Sequence, residues 1–160
     1  MTERMDWKAV IWAALIAGIV FMMLEMALVA TVGGGSPWGP PRMIAAMVMG
    51  KGVLPPPATF EMAPMLVAML VHFTTSVVYA AILGWVISSR RLGLGMSLLV
   101  GTLFGLLLYL VNFYVFTAVW PWFAMARGMI SIFAHAAYGL TLGWAYRALT
   151  ARHVTVIEER

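Results

Sequence analysis

The chain has 160 residues, 63% of them hydrophobic and only 10% charged, against about 45–50% and about 25% in soluble domains. So much apolar surface excludes an ordinary water-soluble globule and points to lipid as the solvent. The formal net charge of +4 does not mark a nucleic-acid binder, because the basic residues sit at helix ends rather than along one face. The absence of cysteine removes disulfides and thiolate metal sites.

The polar stretch Met1 to Lys8 leads into an apolar run from Ala9 to Val32, broken only by Glu25. The run exceeds the core of a signal peptide, about 7–15 residues, and no small-residue cleavage site follows it. At about 1.5 Å per residue it crosses a hydrocarbon core of about 30 Å. Gly33-Gly34-Gly35-Ser36-Pro37 ends this first helix. The segment Pro40 to Pro57 is bounded by proline runs, and its apolar part, Arg42 to Met49, is too short to span; it reads as an interfacial or re-entrant helix.

A second spanning helix is expected from Pro64 to Ile87, closed by Arg90-Arg91. A third runs from Leu92 to Val119, closed by Trp120-Pro121-Trp122, and a fourth from Gly128 to Leu149. Thr150 to Arg160 reads as a polar, mobile tail. The expected fold is therefore all-α: one polytopic membrane domain over residues 1–160, a four-helix bundle with a short interfacial helix between its first two spans.

Charge orients the bundle. With the N-terminus cytoplasmic, Arg4, Lys8, Arg90, Arg91, Arg147, Arg152 and Arg160 lie inside, and only Arg42, Lys51 and Arg127 lie outside. That imbalance predicts both termini in the cytoplasm. Trp38, Trp120 and Trp122 then mark the outer interface, and Trp7, Trp12, Trp85 and Trp144 the inner one, as paired aromatic belts do.

The two halves share a pattern. Tyr79 to Trp85 and Tyr138 to Trp144 both read Tyr-x-x-x-Leu-Gly-Trp, and each tyrosine follows a histidine, His72 or His135, at helical spacing. Both matched helices run in the same direction, so the repeat is parallel rather than inverted. With Val71-His72-Phe73 upstream and Ala134-His135-Ala136-Ala137-Tyr138-Gly139 in the last helix, the chain resembles a family of small four-helix proteins of the bacterial inner membrane, a domain of unknown function. The resemblance implies a topology and a location, the bacterial inner (plasma) membrane, but no activity.

Ionisable groups inside a membrane cost about 2.5–3.5 kcal/mol each and ask for a reason. Glu25, His72, Asn112 and His135 fall one on each spanning helix, all about 10–13 Å below the outer boundary at 1.5 Å per residue. They form one candidate polar layer with Tyr79 and Tyr138. Cross-helix hydrogen bonding would satisfy it. The same groups suit other chemistry. A carboxylate with two histidines, Glu25, His72 and His135, could hold a divalent metal. The histidines could ligate a haem iron between them, or the set could relay protons. The spacings Gly101-x-x-x-Gly105 and Gly139-x-x-x-Gly143 read as close helix contacts.

The fourteen methionines read as flexible apolar packing rather than copper ligands. No phosphate loop, nucleophile elbow or zincin motif is present. The expected role is non-enzymatic: an accessory or structural subunit that requires no cofactor. Its partners would be the bilayer and either a second copy or a larger membrane complex, with no nucleic acid. The alternative is a metal-, haem- or proton-handling transport protein.

Overall fold

The computed structural model describes residues 5–158, with side chains as far as Ala151. Arg4, Arg152 and Arg160 of the charge argument lie outside the described side chains. Five α-helices carry the fold, and no strand occurs among the described residues. They are α1 (Trp7–Thr31), α2 (Gly39–Met49), α3 (Met62–Ser89), α4 (Leu94–Leu110) and α5 (Met129–Glu158). Three helices are long and apolar enough to cross a membrane: α1, α3, and α4 with its continuation to Ala118.

Helix α1 starts where the Asp6 carboxylate accepts the backbone N–H groups of Lys8 and Ala9 at 2.9 and 3.1 Å, an N-cap that also favours the positive end of the helix dipole. It stops where Gly33 N–H reaches back to Leu28 O at 3.0 Å and Gly34 takes a positive φ of 65°. A side chain would resist that conformation. One face of α1 is a stripe of small residues, Ala9, Ala13, Ala14 and Ala17, each at most 1% exposed. Small side chains at this spacing let helices approach closely, and this face packs on α5 and α3.

Helix α2 has 11 residues, about 16 Å, and cannot span. Prolines occupy its first turn, where a missing N–H leaves nothing unpaired. A 3₁₀ turn, Lys51–Val53, and a proline segment with a cis Pro56-Pro57 bond return the chain to α3. Arg42 does not reach out to an interface. It is 7% exposed and donates to Thr59 O at 3.0 Å, Val53 O at 2.9 Å and the Thr59 hydroxyl at 3.3 Å, while pairing with Glu61.

The third apolar run is not one α-helix. After Leu110 it widens into a π-helical turn, Val111–Val115, and tightens into a 3₁₀ turn, Phe116–Ala118; a further 3₁₀ segment, Pro121–Ala126, leads to α5. The π turn changes the hydrogen-bond register. Arg127 Nε donates to the carbonyl of Phe113 at 2.7 Å, and its guanidinium lies 4.4 Å from the centre of the Tyr114 ring. Helix α5 continues through Glu158, so the segment read as a polar tail begins as helix.

Helix α5 packs along both α4 and α1, and α1 packs on α3. Its contact with α4 is a glycine seam. A Cβ on Gly101 or Gly139 would overlap the other's carbonyl oxygen, one on Gly105 would overlap His135 O, and one on Gly143 would overlap Ser97 O. By contrast α3 and α4, although consecutive in the chain, barely touch. The long helices thus pack in the order α3, α1, α5, α4, with a gap between α3 and α4. Large apolar side chains such as Ile19, Leu66, Leu70, Leu99 and Leu103 are exposed on the outside, the face a bilayer would cover. Trp7, Trp12, Trp85 and Trp144 are exposed as well.

Candidate functional site

A string of hydrogen bonds crosses the bundle interior, and its direction follows from chemistry. His135 Nδ1 lies 2.7 Å from the carbonyl of Ser131. A carbonyl can only accept, so Nδ1 carries the proton and Nε2 of the neutral ring is an acceptor. Asn112 Nδ2 therefore donates to Nε2 at 3.1 Å, and Asn112 Oδ1 accepts the Tyr79 hydroxyl at 3.2 Å. At the other end the Ser131 hydroxyl donates to Glu25 Oε1 at 2.6 Å. The string thus joins α3, the π turn after α4, α5 and α1. His135 is 3% exposed, Ser131 2% and Glu25 5%.

His72 and Tyr138 belong to a second set. His72 Nε2 donates to Gly18 O at 2.9 Å. Ser76 donates to Ala14 O at 2.9 Å, which leaves the Tyr138 hydroxyl to donate to Ser76 Oγ at 3.0 Å. The Phe21 ring packs against both sets. It stacks on His72 with centroids 5.6 Å apart, and meets His135 edge-on at 4.8 Å and Tyr138 at 6.0 Å.

The structure thus links Glu25, Asn112, His135 and Tyr79 and holds His72 and Tyr138 apart. Among the described residues, no three or more of His, Cys, Asp or Glu gather to hold a metal ion. Both nitrogens of His135 are engaged, and His72 spends its Nε2 on the Gly18 carbonyl. The donor set therefore does not fit an iron or zinc ion between Glu25, His72 and His135.

Three contributors were missed in the sequence. Ser131 and Ser76 gave no signal, because serine in an apolar helix is commonly satisfied by its own helix. Phe21 read as one more apolar residue. The signal that could have found Ser131 is its spacing from His135, one helical turn on the same face.

Above the polar string lies a cavity of about 870 Å³. Val71, Val78 and Tyr79 of α3 form one wall, and Phe113 and Phe116 beyond α4 form another. Met43 and Met47 of α2 line it, with Trp120 and Arg127 from the loop before α5. Glu25, Ser131 and His135 line it too. Because α3 and α4 do not close on each other, the cavity sits at the unsealed side of the bundle. Arg127 on its wall is held by Phe113 O, by the Thr117 hydroxyl at 3.2 Å and by Tyr114.

No protein-family model, curated protein or solved structure matches the chain.

Proposed function

We propose that the chain is a small, non-enzymatic accessory protein of the bacterial inner membrane that holds an apolar molecule drawn from the bilayer. The observation that carries this reading is the cavity of about 870 Å³ between α3 and the end of α4. It falls within the range of ligand sites, about 300–1,000 Å³, which are mostly apolar with a few converging polar groups. A bundle that only packs would close its interior; this one is unsealed where the cavity lies and polar at its floor. Binding, rather than metal or haem chemistry, is the use the side chains favour.

In this reading α5 is the fourth span. It is less apolar than the other three because it faces protein along both α4 and α1, and a helix shielded from lipid can carry His135, Tyr138 and Tyr146 inside. Both termini are cytoplasmic. Reporter fusions after Lys51 and after Ala151 are expected to give opposite signals, and equal signals would rule out four spans.

The internal repeat has support of its own. Leu83 and Leu142 are each 1% exposed, Gly84 and Gly143 each sit where a Cβ would collide, and Trp85 and Trp144 both face outward. In both helices the leucine of Leu-Gly-Trp is buried, the glycine is packed against a neighbour and the tryptophan faces outward.

The cavity reading is tested by reconstituting the chain with a phospholipid that carries an alkyl diazirine in its acyl chain. After illumination, adducts are expected on the enclosed residues Phe113 and Glu25, each 5% exposed, as well as on the outer surface. Adducts confined to outward residues such as Leu66, Leu70 and Leu103 would show that nothing enters from the bilayer.

A further inference from the structure

Donors and acceptors on the cavity floor do not balance. The Ser131 hydroxyl donates to Glu25 Oε1, the Tyr79 hydroxyl to Asn112, the Tyr138 hydroxyl to Ser76, and His135 Nδ1–H to a carbonyl. Glu25 Oε2 is left buried with no hydrogen-bond partner, alone in this among the described buried side chains. His72 spends its Nε2–H on Gly18 O, so the Nδ1 of the neutral ring is an acceptor. One N–H of Asn112 is the remaining donor of the polar string.

Charge is unbalanced as well. Among the described residues the other buried charged side chain, Arg42, is already paired with Glu61. Arg127, the basic side chain on the cavity wall, is held by Phe113 O, Thr117 and Tyr114. A buried carboxyl with a free oxygen and no counter-ion either holds its own proton or is matched by a bound cation that also donates an N–H.

We propose that the molecule the cavity takes is a lipophilic amine: an apolar chain or ring system ending in a protonated ammonium that pairs with the Glu25 carboxylate. This rests on the reading of the cavity as a binding site reached from the bilayer. The apolar walls take the hydrocarbon, and the carboxylate takes the charge. The Phe21 and Phe113 rings line the same cavity. A long-chain alcohol would satisfy the oxygen and leave the charge unmatched. A fatty acid would set carboxylate against carboxylate.

The test uses the full chain in bilayers of neutral phospholipid, with displacement of the diazirine label from Phe113 as the readout. Dodecylamine, dodecanol and dodecanoic acid are compared at equal mole fraction in the membrane. The amine is expected to displace the label at a mole fraction at least about tenfold below the alcohol, the difference a charge-assisted hydrogen bond makes, and the acid is expected to be weakest. Glu25→Gln is expected to bring the amine to the level of the alcohol and to leave the alcohol unchanged.

Equal potency of amine and alcohol on the wild-type chain would overturn the amine assignment while leaving the cavity reading intact. Undiminished amine potency in Glu25→Gln would overturn it too, since Oε2 would then be filled by the carboxyl's own proton. Failure of the label to reach Phe113 at all would remove the cavity reading itself. The amine-against-alcohol comparison needs no variant, so it decides even if Glu25→Gln does not fold.

Discussion

Replacing Gly139 with leucine is expected to part α4 from α5 and to be the most damaging single change in the bundle. Inserting methylenes into a packed interface costs about 1–3 kcal/mol where neighbouring side chains can move. At Gly139 they cannot, because the atoms in the way are the Gly101 carbonyl and the Gly105 amide nitrogen. Backbone already committed to a helix has no rotamer to change, so the cost should reach or pass the upper end of that range. Gly105→Leu meets the carbonyl of His135 and should behave alike. Gly95→Leu is the control: it lies on the same α4, and a Cβ there meets nothing within 4 Å. Thermal unfolding in detergent, followed by tryptophan fluorescence, should show a large loss for the first two and little change for the third. Three equal melting curves would mean that the seam carries no stability.

Arg42→Met is expected to release the segment over the cavity while leaving the spanning helices folded. The proline-rich return between α2 and α3 makes little regular structure, so its carbonyls need partners from elsewhere. Arg42 supplies them, holding Val53 O and Thr59 O while pairing with Glu61. Each hydrogen bond from a charged group contributes about 1.5–3 kcal/mol, and the bonds do not add fully. A net local loss of about 3 kcal/mol corresponds to a rise in amide exchange of about a hundredfold. Hydrogen exchange read by mass spectrometry should show that rise across residues 42–61 and not in α4 or α5. Unchanged exchange there would show that Arg42 holds nothing in place.

The spanning runs were legible because hydropathy is their cause: α1, α3 and α4 are apolar over lengths that only a bilayer accommodates. The short helix α2 was legible from its prolines. The π and 3₁₀ turns after Leu110 were not, since Val111 to Val119 continues the apolar pattern and the register change leaves no mark in composition. The burial of Arg42 was hidden for a similar reason: a lone arginine beside tryptophan and proline reads as an interface anchor until the chain is seen to fold back over it.

At the polar layer, the residue types that cost most in lipid could be picked out, so Glu25, Asn112 and His135 were found. Their partners could not, because Ser131, Ser76 and the Gly18 carbonyl cost little and stand out in no pattern. Single-helix spacing could not show that Phe21 packs on both His72 and His135, since that depends on how α1 is turned against α3 and α5. The alanines at 9, 13 and 17 carry the same kind of small-residue spacing as the glycines, and it is written in the sequence.

Helices α3 and α4 resemble a pair of tongs. They are joined by the short turn at Arg90 to Gly93 and diverge enough that little passes between them except Tyr79, which meets Phe104 edge-on at 6.3 Å and donates its hydroxyl to Asn112. That hydrogen bond is neutral and worth about 1 kcal/mol net, or about 0.6 kcal/mol by the average for membrane bundles. The jaw is therefore latched by an interaction close to thermal energy, whereas the opposite wall is a backbone-to-backbone glycine seam. The two walls therefore differ in kind: one is held by backbone packed on backbone, the other by a single neutral hydrogen bond and one ring contact.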